Sequence, residues 1–397
     1  PLTRAGAREL LAHLFATDAL PHAPRATIEQ KAHGNPFFLE EVVRALVDVG
    51  AVEPVSGSDG RLRATERIHA VAIPDTLNEV LMARVDRLPA RRRSLLQLAS
   101  VIGRSFHESV LAGVLGEAAP VADDLESLAA AEFLVPWDRS SGTEWAFAHP
   151  LLHEVVYDGL LETRREELHR AVAAAVERHV AADVPGRAGM LAWHWGKGGD
   201  AARAEEFLLR AGEDAARVAA SSEALNFFQE ASKLYLARHG EGGDPAKQAR
   251  LAHHVALALF HRGRLLEADE HYQRALAHLG VRVPRGGAHM IAAFVRDALA
   301  VLAQLVSPER VAARPASDRD RQIVEIMYER AQTQTTASPT RFVFDSVATL
   351  ARLGRIDPTT VPGAGAMYAG AVGIFSYGGV SFALGRRFLA RARRLVR

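Results

Sequence analysis

Apolar residues recur at helical spacing through most of the chain. Leu77, Val80, Leu81, Val85 and Leu88 fall three and four apart behind Asp75 and Thr76, either of which can cap a helix. The same pattern predicts helices over 5–14, 25–32 and 37–49, the last ended by Gly50. A turn-rich patch, Ser56-Gly57-Ser58-Asp59-Gly60, lies between Val52 and Leu62 and reads as the join of two short strands. From Pro89 another helix carries Leu95, Leu96, Leu98, Ala99 and Ile102 and stops at Gly103. Two more follow, over 108–115 and 122–131. Residues 133–137 and 145–147 then read as strands around the turn Asp138-Arg139-Ser140-Ser141-Gly142.

Three or four helices closed by a β-hairpin is the element order of a winged-helix domain. DNA contact would need basic and polar side chains on its third helix and on the hairpin. The third helix, Ser109 to Leu115, is uncharged, and the hairpin offers one Arg, so the pattern does not favour DNA as a partner.

From His149 onward the chain reads as helices, with a pair over 150–161 and 164–181. A spacing then recurs: Ala204, Leu208, Ala211; Ala224, Phe228, Ala231; Ala268, Tyr272, Ala275. Small and large residues at this spacing are those by which the second helix of a tetratricopeptide unit packs on its neighbours. Gly199-Asp200 and Gly263-Arg264 sit where turns between paired helices fall. The three matches are 20 and 44 residues apart, so the repeats are divergent, and Glu241-Gly242-Gly243-Asp244-Pro245 accounts for part of the excess. Beyond Val281 the pattern predicts helices over 288–305 and 319–335, and residues 342–353 and 367–396 continue the array. The expected fold is mainly α: a helical segment over 1–72, a winged-helix-like domain with a β-hairpin over 73–148, a helical pair and tetratricopeptide-like α-α repeats over 149–280, and divergent helical repeats over 281–397.

Composition narrows this picture little. At 397 residues and 48% hydrophobic, the chain can bury a large core, and 48 Lys and Arg nearly cancel 47 Asp and Glu. Cysteine is absent, which excludes disulfide and thiolate chemistry and fits a reducing, cytoplasmic setting. The chain starts at Pro1 and stops within a helical pattern, and is expected to be an internal piece of a longer protein. Thr359 to Gly385 is uncharged and long enough to span a bilayer, but seven glycines and Pro362 dilute it, so packing between soluble helices is expected rather than a membrane partner.

Candidate chemistry is sparse. No Gly-x4-Gly-Lys-Ser/Thr phosphate loop is present; around Gly196-Lys197-Gly198, Leu191 stands at the first Gly and Gly198 at the hydroxyl that would hold magnesium. His149 and His153 share a helical face, but Pro150 starts the helix between them, so His149 reads as a cap rather than a metal ligand. No Gly-x-Ser-x-Gly is present, and Trp193, His194 and Trp195 read as packing groups. No catalytic residue and no metal site is expected within the chain.

The stretch His33-Gly34-Asn35-Pro36-Phe37-Phe38-Leu39-Glu40-Glu41 is a turn running into a helix. Gly34 and Asn35 tolerate positive φ, Asn35 can cap, Pro36 suits the first helical position, and Glu40 and Glu41 lie near the positive helix end.

In order along the chain, Gly34-Asn35-Pro36-Phe37-Phe38-Leu39-Glu40-Glu41, Ile73-Pro74-Asp75-Thr76-Leu77 through Arg84-Val85-Asp86-Arg87-Leu88-Pro89, Leu95 to Gly103, Phe147-Ala148-His149-Pro150 through Tyr157, and Glu167-Leu168-His169-Arg170 resemble the C-terminal side of bacterial STAND/AAA-type signalling ATPases. These are associated with adenylate or guanylate cyclase, serine/threonine kinase or LuxR-type domains. The resemblance covers 1–280 well and the rest loosely. It implies that 1–72 is the lid after an ATPase core lying upstream of Pro1. It also implies that Pro36 contacts the adenine of ATP, with Gly34 and Asn35 shaping the turn. Magnesium and the phosphates would be held by that core, and the piece alone would bind no cofactor. The expected role is regulatory: the repeats bind a protein or small-molecule effector and control an output domain outside the chain, with oligomers allowed in the ATP state. A nucleotide-free tetratricopeptide scaffold and a transcriptional regulator with a DNA-contacting winged helix are the alternatives.

Overall fold

The computed structural model describes residues 2–16, 20–55, 61–116, 121–138, 144–284, 286–306, 314–377 and 381–395. The turns expected at 56–60 and 139–142 lie outside them. The chain divides into two compact units, Pro1–Val184 with Lys197–Gly199, and Pro185–Gly196 with Asp200–Arg397.

In the first unit, helices α1 (Arg4–Leu14), α2 (His22–Ala32) and α3 (Pro36–Asp48) precede an antiparallel pair, β1 (Val52–Pro54) and β2 (Leu62–Ala64). Leu11, Phe15, Ile28, Leu39, Val42 and Leu46 form their common core. α4 (Leu77–Arg87) adds Val80 to it. Thr76 is the cap: its Oγ1 accepts the Glu79 N–H at 3.2 Å, while the Asp75 N–H donates to the Glu79 carboxylate at 3.0 Å.

Next come α5 (Ala90–Ile102), β3 (Ser105–His107), α6 (Glu108–Leu115), α7 (Ala122–Ala130), β4 (Leu134–Asp138) and β5 (Glu144–Phe147). The expected hairpin is β4–β5, and β3 joins it as a third antiparallel strand in the order β3-β5-β4. Sequence reading missed β3: three residues are too short to show alternation. α8 (Pro150–Asp158) and α9 (Glu162–His179) complete the unit. α6 lies so close to α9 that a Cβ on Gly113 would sit 2.6 Å from the His179 ring.

The second unit is an α-α repeat array. After α10 (Arg187–Lys197), α11 (Ala201–Arg217) packs on α12 (Ser221–His239), and α13 (Pro245–His261) on α14 (Leu265–His278), with α12 against α13. Connections this short make the paired helices antiparallel neighbours. The Ala224 and Ala268 triplets lie on the second helices of these two pairs, as expected. The Ala204 triplet does not, because α11 is the first helix of the pair that α12 completes. The 20-residue offset is therefore the step from one helix to the next within a pair, not a repeat period. At that contact a Cβ on Gly212 would lie 2.4 Å from Cε1 of the buried Phe228.

Further on, α16 (Asp318–Ala337) packs on α14 and on α17 (Pro339–Leu353), and α15 (Gly287–Val306) packs on α17. α18 (Ala364–Tyr377) and α19 (Phe382–Leu395) form the last pair, within the stretch expected to continue the array. The uncharged stretch accordingly contributes α18, with Tyr368 and Ala371 buried, and the start of α19. By length and composition α15 is long and apolar enough to cross a membrane, and its Ile291, Val295, Leu299 and Val306 are exposed.

Candidate functional site at the turn before α3

α2 ends at Ala32, and the chain reverses through His33 at φ 46° and Gly34 at φ 77°. Asn35 is extended at φ −85°, so the positive-φ residues are His33 and Gly34, not Gly34 and Asn35. Asn35 instead acts wholly as the cap, its Oδ1 accepting the Phe37 N–H at 3.1 Å, and Pro36 takes the first helical position. Gly34 is needed twice over. Its carbonyl accepts the Leu2 N–H at 2.6 Å, and a Cβ there would lie 2.4 Å from the Leu2 carbonyl oxygen. The three candidate residues thus form one surface turn, with Asn35 and Pro36 exposed.

The helix started by this turn ties the resembling motifs together. The Phe37 ring stacks on His149, centroids 3.9 Å apart and planes 18° apart. His149 caps α8 as expected, its Nδ1 accepting the Leu151 N–H at 3.1 Å, which puts any ring proton of the neutral form on Nε2. His153, one turn on, has its Nε2 2.9 Å from the Ser100 carbonyl and is engaged there. Its ring meets Phe147 edge-on at 5.1 Å. Next on that face, the Tyr157 hydroxyl lies 3.0 Å from Nε2 of the buried His169. Burial first, then the charges of Lys197 and Arg165, lower the His169 pKa to about 4.

Glu41 corrects the expectation for the helix start. It lies beyond the first turn of α3 and is buried, accepting from Arg84 of α4 and, at 2.6 Å, from Arg44. Arg84 is buried too; its Nη2 donates to the Ala131 carbonyl at 3.0 Å, and its guanidinium lies 4.8 Å from the Phe133 ring centre. Arg44 reaches on to Glu132, which stands at φ 59° after α7. One polar network therefore joins α3, α4 and the entry to β4. Sequence reading missed it, since nothing local marks Glu41 and Arg84 as partners; the surplus of acid in a helix buried on most of its length was the available signal.

Trp193, His194 and Trp195 separate: Trp193 is exposed, while His194 and Trp195 are buried, Arg203 lying 4.3 Å over the Trp195 ring. His253 and His254 also diverge, one 2.6 Å from Glu329 and the other stacked on Phe228.

No protein-family model matches the chain. It is 25% identical over 209 residues to the uncharacterized protein R02095 of Rhizobium meliloti (strain 1021), a match covering 52% of this chain and 19% of that protein. The chain thus spans about a fifth of that relative's length. A solved structure, the Signal Transduction ATPase with Numerous Domains (STAND) protein with a tetratricopeptide repeat sensor PH0952 from Pyrococcus horikoshii, aligns with a TM-score of 0.35 and 11% identity, over 100% of this chain and 57% of that one.

Proposed function

We propose that the chain is the regulatory and sensor portion of a STAND-type nucleotide-switch ATPase. In this reading residues 1–72 are the lid of an ATPase core carried elsewhere in the parent protein, residues 73–148 a winged-helix-like coupling domain, and the α-α array the sensor. ATP with Mg2+ sits in that core, and the exposed Pro36 ring meets the base, with Gly34 and Asn35 holding the turn.

The observation that supports this reading is the stacking of Phe37 on His149. Phe37 directly follows Pro36, and His149 starts α8, so a contact at the turn is one residue from the next domain's connection. The Glu41–Arg84 pair ties the same helix to α4. An effector shifts such a switch only through unequal affinity for its two arrangements. The effector is a protein or small molecule on the repeats, and the output is a cyclase, kinase or LuxR-type domain. α6, without a basic residue, gives no support to DNA contact.

The full reading frame tests this: a Gly-x4-Gly-Lys-Ser/Thr loop between strand and helix upstream of Pro1 is expected, with ATP binding by the full-length protein. A frame without it leaves a nucleotide-free repeat scaffold.

A further inference from the structure

A cavity of about 760 Å³ opens in the second unit between the end of α14, α15, α16 and α17. That size falls within the range of small-ligand sites, about 300 to 1,000 Å³. Eight arginines and three aspartates line it. Asp297 and Asp320 are matched by hydrogen bonds, while Asp345 has an arginine beside it but a buried Oδ2 with no hydrogen bond, and burial raises its pKa. Asp297 takes both bonds of Arg296, at 2.9 and 3.0 Å. Asp320 is 2.7 Å from Arg314, which holds its carboxyl down at about 2. Asp345 is 3.0 Å from Arg330, whose Nε is 2.7 Å from Asp269. Arg319 donates to the Leu279 carbonyl at 2.8 Å.

Four guanidiniums are left over. Among the described residues the side chains of Arg282, Arg341, Arg352 and Arg355 make no hydrogen bond or ion pair; Arg282 and Arg355 are exposed, while Nε of Arg352 is buried without a partner. Nη2 of Arg330, a residue only 3% exposed, is also buried and unsatisfied. Guanidinium stays protonated, so the half-buried Arg352 and the buried Arg330 carry a desolvation cost that an anion in the cavity lowers. Burial, against the raising charge of Asp320, and then Arg355, Arg319 and Arg314, pull the Arg352 pKa below its ordinary value. The lining also has an aromatic patch, Phe294 stacked on Phe344 at 4.3 Å.

We propose that this cavity binds a small molecule carrying a phosphate group on an apolar or aromatic body. The phosphate sits between Arg352 and Arg355, where planar donors match its oxygens, and the body lies against the Phe294–Phe344 pair. The binding itself stands apart from the nucleotide-switch reading; only its regulatory meaning, as the sensor's effector site, rests on that reading.

Calorimetric titration of the full chain with 1-naphthyl phosphate and with neutral 1-naphthol tests it. Saturable one-site binding of the phosphate is expected, about tenfold or more tighter than the naphthol, and weakened about tenfold or more by Arg352→Gln or Arg355→Gln. Equal affinity for the two probes, affinity unchanged in both variants, or no saturable phosphate binding overturns the proposal. Arg352→Met keeps the test open should a Gln variant misfold. It is expected to melt no lower than the parent without phosphate and to lose the rise in Tm that 1-naphthyl phosphate gives the parent. A lower Tm without the probe, or a retained rise, contradicts the proposal. ATP affinity of the full-length parent and its Pro36 dependence form a separate readout, so either claim can fail alone.

Discussion

Phe37 and His149 stack with their ring centres 3.9 Å apart, although 112 positions separate them in the sequence numbering. Each does a second job: Phe37 supplies the N–H that Asn35 caps, and His149 caps α8. A double-mutant cycle with Phe37→Ala and His149→Ala, read by denaturant unfolding, is expected to give a coupling of about 0.5 to 1.5 kcal/mol. Strict additivity contradicts a stack that links the two helices.

The Glu41–Arg84 pair is buried on both sides. Removing Arg84 leaves the buried Glu41 carboxylate with Arg44 alone and the Ala131 carbonyl without its donor, so Arg84→Met is expected to cost about 1 to 3 kcal/mol. Replacing both, as Glu41→Leu with Arg84→Met, is expected to recover most of that loss, because the desolvation penalty goes with the charges. Urea unfolding of Glu41→Leu, Arg84→Met and the double variant checks this; a double variant as weak as the sum of the singles contradicts it.

Gly212 owes its place to Phe228. Gly212→Ala puts a methyl where the ring edge lies and is expected to destabilise by about 1 to 3 kcal/mol, with partial recovery in Gly212→Ala/Phe228→Leu. Thermal or urea unfolding measures it, and an unaltered Gly212→Ala places α11 and α12 further apart than described.

His169 and His254 both have pKa values lowered from 6.5 to about 4, chiefly by burial. Between these values the unfolded chain binds protons that the folded chain does not. Stability from these groups is therefore complete above pH 6.5 and falls as pH drops toward 4. Unfolding free energies measured across that window are expected to decline. His254→Phe, which keeps a ring on Phe228, is expected to flatten the slope, and an unchanged slope contradicts the assignment.

What could be read from the sequence was what local chemistry marks. Caps and breakers placed helices within a few residues: Thr76, Asn35 and His149 cap, and Pro36 and Gly103 bound their helices. Spacing of small and large residues was enough for an α-α array. Contacts across the fold left no local trace. Glu41 looked like an N-terminal acid until Arg84 arrived beside it. β3 acquires its hydrogen bonds only from β5. The Ala204 triplet has the right spacing on the wrong helix, because small-large alternation suits both sides of a tight helix pair. The arginines of the cavity are spread from Arg282 to Arg355, and only the packing of α14 to α17 gathers them.

The most direct measurement is ATP affinity of the full-length protein and of its Pro36→Ala variant, by equilibrium titration with a fluorescent ATP analogue. If the turn meets the base, Pro36→Ala is expected to weaken binding about tenfold while the Tm without nucleotide stays near the parent's. Equal affinities in the two proteins would contradict a nucleotide-facing turn and leave Gly34-Asn35-Pro36 as a helix start alone.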